Sequence, residues 1–135
     1  MKKVLCAIIA ILFAVLLCGC DVDSVQSNVF SQEVTIVKLP SPPKCKTTNS
    51  NTVVNDVIDV LGLIEKHPTP NDVASGGWST MVILKIDGQE FVYTLGGNLF
   101  NDSDGSQYNI SNCKEIEDKL TEIYNKMDAQ EVDYS

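Results

Sequence analysis

The dipeptide Asp87-Gly88 is the feature that most constrains the fold of this chain. It interrupts a run of β-branched and aromatic residues, "WSTMVILKIDGQEFVYTLGG". Two-residue hairpin turns of the primed types need positive φ angles, which Asp-Gly adopts readily. The dipeptide therefore predicts a hairpin in which Ile86 faces Gln89. The further pairs in this register are Lys85 with Glu90, Leu84 with Phe91, Ile83 with Val92, and Val82 with Tyr93.

This register gives the hairpin two different faces, because successive side chains of a strand point to opposite sides. The more apolar face is predicted to lie in the core, and it comprises Val82, Leu84, Ile86, Phe91, Tyr93 and Leu95. The other face carries Met81, Ile83 and Val92 beside the Lys85–Glu90 pair. With Trp78 near its end, this mixed face is the predicted partner surface, since Trp is enriched in binding hot spots. The alternative for Trp78 is that it covers a core edge.

Apolar spacing predicts two helices. The first stripe comprises Val54, Val57, Ile58, Leu61 and Ile64. This helix is capped at Asn51 or Thr52 and ends near Lys66, because the residue before a proline, His67, disfavours helical geometry. The second stripe comprises Cys113, Ile116, Leu120, Ile123 and Met127. Asn112 and Glu115 have the spacing of a capping box at its start.

Strands complete the predicted fold. The alternating segment "EVTIVKLP" indicates a strand before the first helix, and Gly96-Gly97 permits a bend after the hairpin. The segments "NLF" and "SQYNI" flank a turn-rich stretch and are typical of a second hairpin. We therefore predict an α+β fold with a small antiparallel sheet, in the order strand, helix, three strands, helix, and with both helices packed on one face.

The chain begins with two lysines and an apolar run, "VLCAIIAILFAVLL". A charged start before an apolar run of about 7–15 residues is typical of a secretory signal peptide. The run is shorter than the roughly 20 residues that a membrane-spanning helix needs. The acidic segment after it, "DVDSVQSNVF", carries no basic stop-transfer signal. The sequence thus predicts a cleaved leader.

The end of this leader resembles the lipobox of bacterial lipoproteins. Leu17, Cys18, Gly19 and Cys20 match its pattern of a leucine three residues before the modified cysteine and a small residue just before it. The resemblance implies that the signal peptidase recognises Leu17 and Gly19, and that Cys20 carries a diacylglycerol thioether. The protein would then be anchored by lipid to the cell membrane, outside the cytoplasm.

This resemblance divides the chain into four parts. Residues 1–19 are the predicted signal peptide and residues 20–32 a lipidated tether. Residues 33–128 form a single predicted α+β domain, and residues 129–135 an acidic tail that frays.

Charge excludes several functions. The chain has a net charge of −8, and arginine is absent from its sequence. Nucleic-acid binding relies on basic residues that neutralise phosphates, so we expect no nucleic-acid partner. Anionic lipid headgroups repel an acidic domain, so the lipid alone is expected to hold it at the membrane.

Few residues suggest metal chemistry. Asp102, Asp104 and Gly105 are similar to part of a calcium loop, but the spacing places Ser111 where that loop needs a glutamate. A β-turn is therefore predicted there. Cys45 and Cys113 either form a disulfide outside the cytoplasm or remain two buried thiols. With one histidine they do not supply a four-ligand set, so we predict no metal and no other cofactor.

The predicted function is binding without catalysis, with an envelope protein or a peptide as the partner. A catalytic histidine needs an orienting partner and a nucleophile, and His67 in "KHPTP" has neither in its sequence context. Two alternatives remain open. One is a small extracytoplasmic hydrolase in which folding assembles a carboxylate pair or an acid beside His67. The other is an inhibitory or protective module that blocks a secreted enzyme with a loop such as "PSPPKCK" or "NDSDGS".

Overall fold

The computed structural model describes residues 31–69 and 77–135, which form an antiparallel sheet of eight strands and two α-helices. The strands are β1 (Gln32–Lys38), β2 (Lys44–Thr48), β3 (Lys66–Pro68), β4 (Thr80–Ile86), β5 (Gln89–Gly96), β6 (Leu99–Asn101), β7 (Gln107–Ile110) and β8 (Val132–Asp133). The helices are α1 (Asn51–Gly62) and α2 (Cys113–Lys126). The strand order in the sheet is β3-β7-β6-β5-β4-β1-β2-β8. The predicted mixed α+β class is confirmed.

The predicted leader and most of the tether lie outside the described residues. Leu17, Gly19 and Cys20 belong to that part, so the lipidation site stays a prediction.

The β4–β5 hairpin has the predicted register. Ile86 pairs with Gln89, and the pairing continues residue by residue along the two strands to Thr80 with Leu95. Asp87 and Gly88 have φ angles of 52° and 80°, the left-handed conformation that a primed turn requires. The turn residues therefore set the register of the two longest adjacent strands. The second predicted hairpin is also confirmed, as β6 pairs with β7 in antiparallel register.

The main core joins residues of both helices to alternate residues of the strands. Its buried members are Val34, Ile36, Val54, Val57, Val60, Val82, Leu84, Leu95, Phe100, Ile110, Cys113, Ile116, Leu120, Tyr124 and Met127. Phe91 and Tyr93 pack against this cluster, as predicted, whereas Ile86 beside the hairpin turn is not part of it. Each fully buried large side chain stabilises the fold by about 1.5–3 kcal/mol.

Helix α1 ends earlier than the apolar spacing predicts. It stops at Gly62 instead of near Lys66, and Lys66–Pro68 is the strand β3, paired with β7. Glycine is a poor helix former, and pairing with β7 satisfies backbone groups that a longer helix would otherwise use. The buried stripe of α1 is Val54, Val57 and Val60, whereas Ile58, which the apolar spacing placed on the stripe, is 40% exposed.

The predicted capping box at the start of α2 is wrong. The side chain of Asn112 makes no capping bond. It accepts a hydrogen bond from the backbone N–H of Glu65 (3.2 Å) and donates one to the carbonyl of Leu63 (2.8 Å). Asn112 therefore holds the segment after α1 against the start of α2.

The predicted order of strand, helix, three strands, helix is incomplete, because it lacks several short strands. Strand β2 follows the proline-rich connector, and β3 and β8 lie at the two edges of the sheet. Within the predicted tail, residues 129–135, Val132 and Asp133 pair with Cys45 and Lys44, and the side chain of Tyr134 packs against Val37, Cys45 and Met81. The tail is therefore joined to the sheet through β8.

Candidate functional site

Strand side chains that alternate with those of the main core lie on a second face of the sheet, which we call the outer face. It includes Thr35, Val37, Cys45, Met81, Ile83, Val92, Thr94, Asn101 and Gln107. The strand register aligns one continuous row across this face, in the order Gln107, Asn101, Thr94, Met81, Val37 and Cys45. The first half of the row is polar and the second half is apolar, so the face offers both hydrogen bonds and apolar contact.

The apolar half of the row is a small core of its own. Its buried members are Val37, Cys45 and Met81, which are at most 8% exposed. The side chains of Trp78, Ile83 and Tyr134 are partly buried and pack against them. Trp78 and Tyr134 come from two places distant in sequence, the segment before β4 and the segment after β8.

A close backbone approach positions Trp78. A Cβ atom on Gly96 would lie 2.2 Å from the carbonyl oxygen of Gly77 and 2.8 Å from the Cα atom of Trp78. Only glycine fits at such a separation, so the 77–78 backbone lies directly against Gly96. The backbone N–H of Ser79 donates to the carbonyl of Leu95 (2.7 Å) and continues the pairing.

The polar half of the row is a chain of uncharged side chains joined by hydrogen bonds. Gln107 Nε2 donates to Asn101 Oδ1 (3.1 Å), and Asn101 Nδ2 donates to Thr94 Oγ1 (2.7 Å). A primary amide has two N–H donors and two carbonyl lone pairs. Each amide therefore keeps hydrogen-bonding capacity for a partner after these bonds are made.

Charged residues border the outer face near the hairpin turn. Lys85 Nζ lies 3.2 Å from Glu33 Oε1, and Glu90 is opposite Lys85 in the register. Val92 lies between this border and the polar row and is 36% exposed. It is thus the accessible apolar side chain of the β4–β5 hairpin on this face.

The four predicted surface residues have different roles. Ile83 and Val92 lie on the outer face as predicted, but Met81 is buried beneath its neighbours and is not free to touch a partner. Trp78 is partly buried and covers a core edge, the alternative considered for it. Sequence reasoning missed Tyr134, because its segment is polar and acidic, without the alternating apolar pattern of a strand.

The two cysteines are free thiols, so the disulfide alternative is not what the structure contains. Cys45 belongs to the small outer cluster and Cys113 to the main core, which places them in two separate apolar environments. Burial raises the pKa of both thiols, and nearby Asp133 adds to the effect at Cys45 and Glu117 at Cys113. Both behave as small apolar residues.

Within the segment "NDSDGSQY", residues 102–106 form a turn between β6 and β7, as predicted. Gly105 has a φ angle of 85°, and its N–H donates to the Asp102 carbonyl (2.9 Å). The carboxylate of Asp102 accepts hydrogen bonds from Lys66 and from the Ser103 backbone N–H. Partial burial raises the pKa of Asp102, but these bonds outweigh that effect and lower it. Over residues 31–69 and 77–135, no group of three His, Cys, Asp or Glu side chains is placed to hold a metal ion.

His67 lies at a sheet edge rather than in a cleft. It is exposed on β3, where it pairs with Asn109. Among the described residues no hydrogen bond or ion pair links its ring to an acid. The helix end predicted for His67 does not exist, because α1 stops at Gly62.

A polar cleft at the ends of β1 and β4 has a volume of about 400 Å³. Lys38, half-buried there, donates through Nζ to Thr80 Oγ1 (3.1 Å), and the hydroxyl of Ser79 donates to Glu117. Burial lowers the pKa of Lys38, while Glu117 and Asp118 oppose this. The hydroxyl beside the amine belongs to Thr80, which is 1% exposed and closed to a substrate. The exposed hydroxyl of Ser79 contacts a carboxylate instead.

A second cavity, of about 430 Å³, forms a groove between α1 and α2. Its apolar lining consists of Val53, Val60, Leu63 and Ile123, and charged side chains border it on both helices. Throughout the described ranges, every buried side-chain N or O atom has a hydrogen-bond partner.

Nothing in the described ranges is a helix with both the length and the apolar character needed to cross a membrane. Comparisons of the chain with protein-family models, with curated proteins and with solved structures give no match.

Proposed function

We propose that this protein is a lipid-anchored envelope protein whose small, non-enzymatic domain binds a protein or peptide through the outer face. The observation that carries the proposal is the mixed row across that face. Its amide side chains keep free donors and acceptors, and the exposed Val92 lies beside them. Protein interfaces likewise combine an apolar centre with hydrogen bonds from polar side chains.

We further infer that both helices pack on the same face of the sheet, which leaves the outer face free for a partner. The inference is supported by the composition of the main core. That core contains residues of both helices together with alternate residues of β1 and β4, such as Ile36 and Val82. The neighbours of these two residues in the chain, Val37 and Met81, belong to the small cluster on the outer face.

The lipid anchor at Cys20 places the domain outside the cytoplasm in this proposal. A palmitate label in growing cells tests it, with Cys18→Ala as the matched control for Cys20→Ala. We expect Cys20→Ala to lose the label and to leave the membrane fraction, and Cys18→Ala to keep both. Labelling of the Cys20→Ala variant would contradict the anchor.

The outer face is tested by the Val92→Lys substitution, with Ile58→Lys on α1 as control. Both side chains are β-branched and similarly exposed, at 36% and 40%. We expect partner proteins that co-purify with the wild type from its own membranes to be lost with Val92→Lys and retained with Ile58→Lys. A second outer-face variant, Gln107→Lys, should also lose them.

Folding of each variant is checked by circular dichroism and by the emission of the single Trp. If both outer-face variants fold and still co-purify with the same partner proteins, the outer face is not the binding surface.

A small hydrolase is the second candidate function, and the polar cleft at Lys38 favours it. This cleft brings the carboxylates of Glu117 and Asp118 near one amine. If the cleft is catalytic, Lys38→Met should abolish hydrolysis of activated ester substrates, whereas Lys46→Met should not. Failure of the wild-type protein to hydrolyse such esters would exclude this activity on them.

A further inference from the structure

The groove between α1 and α2 has the dimensions of a docking site for one further helix. Along α1 its lining runs from Val53 to Leu63, about 15 Å at the rise of an α-helix. Along α2 it includes Ile123. Leu63, at the end of α1, is 50% exposed and among the most exposed large apolar side chains of the described residues. A partner helix of about three turns would cover this length.

The wall of the groove that α1 forms is negative. Asp56 and Asp59 line it, and no lysine is present anywhere in α1. Neither aspartate takes part in an ion pair within the described ranges. The last turn of α1 carries no basic residue, so the negative end of its dipole adds to this potential beside Leu63.

The wall formed by α2 is already neutralised within its own helix. Lys126 Nζ lies 2.6 Å from Glu122 Oε1, and Lys119 Nζ lies 3.8 Å from Glu115 Oε1. Both lysines therefore already have a carboxylate partner on α2. Among the described residues, the charged residues of the groove without an ion-pair partner are Asp56 and Asp59, so the unpaired charge is negative.

We propose that this groove binds a cationic amphipathic α-helix of another protein or peptide. The apolar stripe of that helix lies between Leu63 and Ile123, and its basic flank faces Asp56 and Asp59. A second copy of this chain fits less well, because its own helices bring further carboxylates to the same wall. An anionic membrane surface is repelled by the two aspartates. The site is separate from the outer face and does not depend on the function proposed for that face.

The test uses the full chain and dye-labelled synthetic peptides of about 15 residues, near the length at which isolated helices become stable. One peptide places Leu and Lys with helical spacing, a second scrambles the same composition, and a third replaces Lys by Glu. We expect fluorescence anisotropy to detect binding of the first peptide alone.

Groove variants separate specific docking from general attraction to an acidic protein. Leu63→Lys and the double variant Asp56→Asn/Asp59→Asn should each weaken binding about tenfold, as expected when an anchor or its charge partner is lost. The control is the double variant Glu33→Gln/Glu90→Gln, which removes the same charge from the outer face and should bind like the wild type. All three groove positions are solvent-accessible, and circular dichroism verifies that the variants fold.

Four results would overturn the proposal. Equal binding of the scrambled peptide, or equal weakening in the outer-face control, would reduce the effect to non-specific charge attraction. Absence of binding by the amphipathic Leu/Lys peptide would exclude the site. A concentration-dependent dimer that Leu63→Lys dissociates would assign the groove to a second copy of the chain instead.

Discussion

Replacement of Gly96 by alanine tests the packing of the outer face most directly. The added Cβ would lie 2.2 Å from the Gly77 carbonyl oxygen and 2.8 Å from the Trp78 Cα atom. Both are backbone atoms, so no side-chain rotation relieves the contact. The 77–79 segment must move away from β5, and Trp78 moves with it.

The cost follows from two effects. Forcing an extra methyl group into a packed site costs about 1–3 kcal/mol. The displaced segment also weakens the bond from the Ser79 N–H to the Leu95 carbonyl, which is 2.7 Å long. A hydrogen bond of this kind contributes about 0.5–1.5 kcal/mol. We therefore expect Gly96→Ala to lower the free energy of unfolding by about 2–4 kcal/mol.

Urea unfolding and thermal melts measure this loss. For a domain of this size, the melting temperature should fall by roughly 10–25 °C. The emission of Trp78, the only Trp in the chain, should shift to longer wavelength as its ring leaves the cluster of Val37 and Met81. Gly62→Ala is the control, because nothing lies within 4 Å of a Cβ at that position. It should stabilise the helix by about 0.5–1 kcal/mol.

Equal stability of Gly96→Ala and the wild type, with unchanged Trp78 emission, would refute the close approach of the two segments. The same change in stability in Gly96→Ala and Gly62→Ala would also refute it, since the effect would then come from glycine replacement in general.

Three further outcomes are expected. Deletion of residues 129–135 removes β8 and Tyr134, so it should destabilise the domain by about 1–2 kcal/mol and make Cys45 reactive towards a thiol reagent. Because Cys45 and Cys113 are free, a reducing agent should leave the urea midpoint unchanged, and a lower midpoint would indicate a disulfide. The pKa of Asp102 is lowered in the folded protein, so its stabilisation is present above its ordinary pKa and is lost as the pH falls through the folded value. The loss should be below about 1 kcal/mol, because Lys66 is partly exposed, and it should be absent in Asp102→Asn; an identical acid profile for that variant and the wild type would contradict it.

Parts of the candidate site could be predicted and parts could not. Ile83 and Val92 were assigned to the outer face from alternation alone, because the Asp87-Gly88 turn fixes which residues share a side. Burial of Met81 was not predictable in this way. It depends on Trp78 and on Tyr134, a residue more than fifty positions further along the chain.

The polar row was missed for a related reason. Thr94, Asn101 and Gln107 lie on three different strands, and no local pattern marks them as neighbours. Their side chains meet only when two successive hairpins pair in register. The groove between the helices was likewise invisible, since it depends on how α1 and α2 approach each other.

By itself, the sequence determined the α+β class, the register of the central hairpin and the position of α2. These follow from dihedral preferences and from apolar spacing within a few residues of each other. Tertiary structure decided the rest: the edge strands β2, β3 and β8, the early end of α1, and the cover over Cys45. Short polar segments such as "KCKTT" lack the alternating apolar pattern that marks a strand in the sequence. They become strands when a distant neighbour supplies hydrogen-bond partners, as Val132 and Asp133 do for β2.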